Sequence, residues 1–150
     1  MELPGNRDKK IIDGTHRIVF YLLPLLGLAF LLWYIKNAAC DVVYSDYIRL
    51  VNSYLPDVFN PEKFFVADVL TRIPINYLSR IINVKFFGFS ITFDRVLGAV
   101  SVSLAAWCFA AYSRQLKINI KWFITFMIVM FSLNKWEMLT NGSGWSHFFA

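Results

Sequence analysis

The stretch Ile18–Ile35 reads IVFYLLPLLGLAFLLWYI and holds no charged residue. At 1.5 Å per residue it covers about 27 Å as a helix, close to the hydrocarbon thickness of a bilayer. It is expected to be a first membrane-spanning helix. Pro24 and Gly27 would kink or loosen it, which membrane helices tolerate because neighbouring helices satisfy the freed backbone groups. A cleaved signal peptide has a shorter apolar core. The Asn37-Ala38-Ala39-Cys40 sequence faintly resembles a lipoprotein cleavage box but lacks its aliphatic residue and adjoins Lys36. A retained anchor is the reading these residues favour.

Two further apolar stretches follow. Val96–Tyr112 carries Gly98, Ser101, Ser103, Ala105, Ala106 and Ala110, small residues that let another helix come close. Thr92 is read as its N-cap, with Asp94 in the first turn where the helix dipole favours an anion. Ile118–Leu133 is shorter, with Lys121 near enough to its start to reach the headgroups. The expected fold is therefore all-α and membrane-embedded, with three transmembrane helices at about 18–35, 96–112 and 118–133.

Composition supports this. The 150 residues are 57% hydrophobic, 18% aromatic and 17% charged, which excludes disorder, and with two cysteines the chain is no disulfide scaffold. The net charge of +5 has a plain source. Arg7, Lys9, Lys10 and Arg17 precede the first span, and Arg114, Lys117 and Lys121 lie between the second and third, as the positive-inside rule places cytoplasmic flanks. No basic stripe interleaves with stacking aromatics, so nucleic acid is not an expected partner. Membrane lipid is. The organisation that follows is a basic cytoplasmic tail (1–17), the first span, an extracytoplasmic loop (36–95), the second span, a cytoplasmic loop (113–117), the third span, and an extracytoplasmic segment (134–150) opening a further helix. The localisation implied is a multi-pass protein of the cell membrane with its N-terminus in the cytoplasm.

The first outer loop is too long for a plain connector. Tyr47, Leu50, Val51 and Tyr54 recur at helical spacing until Pro56, and Asn60-Pro61-Glu62 has the cap, proline and acid of a new helix start. That helix runs to about Ile73, where Pro74 breaks or bends it. Beyond it, Leu78, Ile81 and Ile82 form an apolar side against Asn76, Ser79 and Arg80. These segments read as interfacial helices with apolar faces at the headgroup boundary and Asp68, Arg72, Arg80 and Lys85 towards water or lipid phosphate.

Asp41 and Asp46 are different, because helix amphipathicity requires neither of them just after the first span. Five residues apart on a helix is a rotation of about 140°, so they share no helical face. Each has a plain alternative as a surface or capping acid, and one alone can deprotonate a hydroxyl or hold a divalent cation against a phosphate. After the third span, Glu137 and His147 flank the turn Asn141-Gly142-Ser143-Gly144 and are candidates to line a polar cleft, with Trp136 and Trp145 as interface residues. Asn141-Gly142-Ser143 also fits the short N-glycosylation pattern. There is no metal-ligand spacing, Gly-rich phosphate loop or nucleophile elbow.

The layout of tail, span, long outer loop with interfacial helices and an early acid resembles the amino-terminal part of the GT-C class of integral-membrane glycosyltransferases. The resemblance implies transfer of sugar from a polyprenyl-phosphate donor to an envelope glycan or lipid acceptor. It implies a base or metal-ligand role for Asp46, which opens an interfacial helix in Ser45-Asp46-Tyr47, or for Asp41. Arg49, Glu137 and His147 would line the substrate. Members of the class often carry two adjacent acids in this loop, whereas here Asp41 and Asp46 are separate singles. They are also several times longer, so the chain is expected to be an opening module that relies on further helices. The competing expectations are a non-catalytic membrane protein that binds lipid or a partner subunit, and a transporter or flippase subunit. The absence of an ionisable residue near the centre of any expected span weighs against the last.

Overall fold

The computed structural model describes residues 4–38, 48, 57–62 and 74–141, whose regular secondary structure is all helical, with no strand among them. Five α-helices are described: α1 (Pro4–Ala38), α2 (Pro74–Phe87), α3 (Ile91–Gln115), α4 (Ile120–Met130) and α5 (Trp136–Asn141), with a 3-10 turn over Leu133–Lys135. Of the expected interfacial helices before α2, only Ile48 and the chain around Asn60 fall within the described residues. There Asn60 acts as the expected cap, its side chain accepting from the Glu62 N–H at 3.0 Å.

Two segments, Ile18–Ala38 and Ile91–Gln115, are long and apolar enough to cross a membrane. α1 begins well before Ile18, because only Gly5 and Gly14 interrupt the helix-forming residues of the basic tail. α3 begins earlier than expected. Its N-cap is Ser90, whose hydroxyl accepts from the Phe93 N–H, and not Thr92, which lies inside the first turn. The third expected span is a shorter helix. α4 ends at Met130 and covers about 16 Å, roughly half a hydrocarbon layer.

α1 and α3 pack as the main pair and run in opposite directions. Near the start of the apolar run, the Tyr21 carbonyl accepts from the Trp107 indole N–H at 3.2 Å. Arg114 donates to the Tyr21 hydroxyl and lies 5.1 Å from its ring centre. The small residues of α3 form the buried face: Gly98, Ala99, Ser101, Ser103, Ala106 and Ala110 all lose contact with solvent. Ser101 and Ser103 satisfy their hydroxyls on the carbonyls four residues back, Leu97 at 2.8 Å and Ala99 at 2.9 Å. α4 then runs beside α1 in the same direction, since the Phe123 ring lies tilted 4.1 Å from that of Phe20 and the Phe131 ring occupies the space that a side chain on Gly27 would fill. Leu31, Ile35, Met127 and Leu139 complete this core.

The outside of the bundle is apolar too. Ile18, Leu26 and Trp33 on α1 and Trp122, Phe126, Ile128 and Val129 on α4 are exposed. A contiguous surface of that kind is stable against lipid and unstable in water. The tight turn between α3 and α4 is a Schellman closure: Lys117 stands at φ 53°, with Lys117 N–H on the Arg114 carbonyl and Ile118 N–H on that of Ser113. Asn119 caps α4 by accepting from the Lys121 N–H at 3.0 Å.

Candidate functional site

The end of the bundle opposite this basic turn is built from polar side chains. Asp94 is fully buried in the first turn of α3, and its carboxylate takes the guanidinium of Arg80 from α2 in an ion pair sealed from solvent. Asn83, one turn on from Arg80, adds a longer bond to the same carboxylate oxygen at 3.3 Å. Its amide also clamps the helix corner, accepting from the Ser90 N–H at 2.7 Å and donating to the Ser90 carbonyl at 3.0 Å. The corner needs that clamp, because Gly88 and Phe89 both sit in the left-handed region, at φ 60° and 65°. Glycine does so without penalty, but an aromatic residue there is strained and persists only where its surroundings fix it.

A second polar link joins α3 to α5. Arg95, also buried, donates its Nε–H to the Thr140 carbonyl, and Thr140 Oγ1 donates back to the Trp136 carbonyl at 2.9 Å. Asn141 is buried beside them, with its side-chain oxygen unpaired. The Asp94 carboxylate therefore ties α2 to α3, and the Arg95 guanidinium ties α5 to α3. Buried charges of this kind are costly alone and acceptable only when paired and hydrogen-bonded, so the arrangement fixes three elements in one geometry.

α2 is turned the opposite way from a helix on the surface of a soluble protein. Tyr77, Ser79, Arg80 and Asn83 are buried, whereas Leu78, Ile82, Phe86 and Phe87 are exposed. Tyr77 adds an anchor by donating its hydroxyl to the Asn60 carbonyl at 2.5 Å. This corrects the expectation for Arg80, which faces Asp94 and not water or lipid phosphate; Lys85 is exposed as expected. The physical reason is the balance of faces: a narrow polar stripe on a mostly apolar helix is satisfied by turning inward when the outside is lipid. That stripe is visible in the spacing of Asn76, Ser79, Arg80 and Asn83, and it is the signal that identifies Arg80 and Asn83. Arg95 and Thr140 carry no comparable mark, since their meeting depends on how α5 returns to α3.

Of the predicted site residues, Glu137 lies in the first turn of α5 and is exposed, one turn before the Thr140 that Arg95 holds. Asp41, Asp46, Arg49 and His147 lie outside the described residues. Among the described residues no three His, Cys, Asp or Glu side chains gather as a cation site. In comparisons with protein-family models, with characterised proteins and with solved structures, nothing matches this chain.

Proposed function

We propose that this chain is the opening, membrane-spanning module of a GT-C-like glycosyltransferase, with its N-terminus in the cytoplasm and three passes, the third completed by the segment around α4 and α5. The observation that carries the reading is where the chain leaves the polar end. α1 runs opposite to α3 and so ends, at Ala38, on the side of Asp94; α5 ends on the same side, held by Arg95. Asp41 is the third residue after Ala38, within about 11 Å of extended chain, and Asp46 and His147 follow on from these two exits. The reading assigns Asp41, Asp46 and His147, which lie outside the described residues, to the end opposite Arg114, Lys117 and Lys121. In this reading that is the outer end, with the basic α3–α4 turn on the cytoplasmic side as the positive-inside rule favours, and a polyprenyl-phosphate sugar would present its head there.

In this reading Asp46 takes the proton of an acceptor hydroxyl as its oxygen forms the new bond to the sugar C1. The bond from C1 to the phosphate oxygen breaks, and polyprenyl phosphate leaves with the electron pair. Asp41 is the second candidate for that role; Arg49, Glu137 and His147 contact the substrate. The buried Arg80–Asp94 and Arg95–Thr140 links position these segments and do not touch substrate. The test is reconstitution of the full-length protein in proteoliposomes with radiolabelled polyprenyl-phosphate hexoses and envelope glycan acceptors. Transfer that is lost in Asp46→Asn or Asp41→Asn supports the reading; absence of transfer from every donor, or transfer that survives both substitutions, overturns it.

A further inference from the structure

The break after α4 stands at the wrong depth for a surface turn. Phe123 packs on Phe20 and Phe131 on Gly27, so α4 climbs beside α1 from near Ile18 and stops level with Gly27. At 1.5 Å per residue Gly27 is about 14 Å above Ile18 and about 16 Å below Ala38, close to the middle of the first apolar segment. The chain then leaves α-helical geometry through Phe131 and Ser132 and a 3-10 turn before α5 brings Thr140 up to Arg95. Residues 131–137 accordingly lie between mid-membrane and the Asp94 end.

The Phe131, Ser132 and Trp136 N–H groups bond to the Met127, Val129 and Leu133 carbonyls, so what hydrocarbon solvates badly here is the polar side chains. Irregular backbone at membrane depth occurs only where protein covers it or water reaches it. Ser132 gives the 3-10 turn no side-chain cap, because its hydroxyl donates backward to the Val129 carbonyl at 2.7 Å. Asn134, Lys135 and Glu137 are all exposed, and two of them are ionisable. Charged side chains turned outward are poorly suited to a covering helix and well suited to water.

The geometry points to a water-filled recess on this side of the bundle, entering from the Asp94 end and reaching down to the level of Gly27, with Asn134, Lys135 and Glu137 on its wall. Water, and not lipid or a further helix, is its occupant. The inference rests on the membrane-spanning part of the proposed function and not on sugar transfer.

Cysteine accessibility tests it. In full-length protein with Cys40 and Cys108 replaced by serine, single cysteines at Asn134→Cys, Lys135→Cys and Glu137→Cys are compared in proteoliposomes with Phe30→Cys and Ile128→Cys, apolar positions exposed at comparable depth. The probe is a charged, membrane-impermeant maleimide, and labelling after denaturation confirms that each thiol is present. Because the thiolate is the reactive form and does not form in hydrocarbon, the first three should label about ten-fold or more faster than the two controls. Equal, slow labelling at all five positions overturns the recess, since lipid or protein then covers the break. Equal, fast labelling at all five overturns the membrane-spanning reading as well, whereas a failed transfer assay with the expected labelling pattern removes only the enzymatic reading.

Discussion

The two ends of α3 are held by different physics. Towards Gln115, Ala106 and Ala110 are buried in a core with an aromatic cluster in which the Phe123 ring lies tilted 4.1 Å from Phe20 and stacked 6.2 Å from Phe109. Towards Ile91, the contacts are an ion pair, an amide clamp and a guanidinium on a carbonyl. Close packing of small and aromatic residues is made of many weak attractions, so it degrades gradually. A buried charge is either satisfied by its partners or badly destabilising. The apolar end sets how close the helices come. The polar end sets which way α2 and α5 point.

The sharpest way to break that contrast is Asp94→Ala. It leaves the buried Arg80 guanidinium without its carboxylate and should cost about 3–5 kcal/mol, read from thermal unfolding in detergent. Replacing both partners, Arg80→Met with Asp94→Leu, should recover most of that loss; a double variant no better than the single one would mean that the pair is not the local link described. Asn83→Ala comes next, with a loss of about 2–3 kcal/mol, because it uncaps both backbone groups of Ser90 at a strained corner. If the ordering of the corner is what Asn83 supplies, amide exchange should speed up at Phe89 and Ser90 first.

At the packed side the expected effects are smaller. Gly27→Val places a side chain in the space of the Phe131 ring and should cost about 1–3 kcal/mol by overpacking, with rescue by Phe131→Ala. Failure of that rescue would show that α4 does not lie level with Gly27, and it would weaken the recess as well. The smallest effect has the opposite sign. Lys117→Gly relieves a left-handed residue in the α3–α4 turn and should stabilise by about 0.5–1 kcal/mol, measured by the shift in midpoint of the same unfolding curve.

Much of the architecture was legible before any coordinates. Uninterrupted apolar runs of bilayer length can be satisfied only as helices, whatever their neighbours, and this identifies Ile18–Ile35 and the core of α3. The small residues of α3 likewise announce a close helix partner, although they do not say that the partner is α1. Helix ends were less legible: Ser90 and Thr92 are equally good caps in composition, and the choice of Ser90 goes with the clamp by Asn83, which sits on the preceding helix. Of the candidate site, Glu137 was legible as a polar residue after an apolar run, but its depth was not, since hydropathy counts residues along a chain and takes no account of where α4 stops against α1.

The sequence by itself determined that its apolar runs are helical, that two of its helices are long and apolar enough to cross a membrane, and that the α3–α4 turn is basic. These are properties of contiguous residues and need only the solvent to act on them. The tertiary structure alone decided that Arg80 turns inward to Asp94, that Arg95 holds α5, and that α4 ends near the middle of the apolar part of α1. Each of those depends on a contact between residues far apart in the chain or on different helices, and a buried charge takes the partner that the packing brings to it.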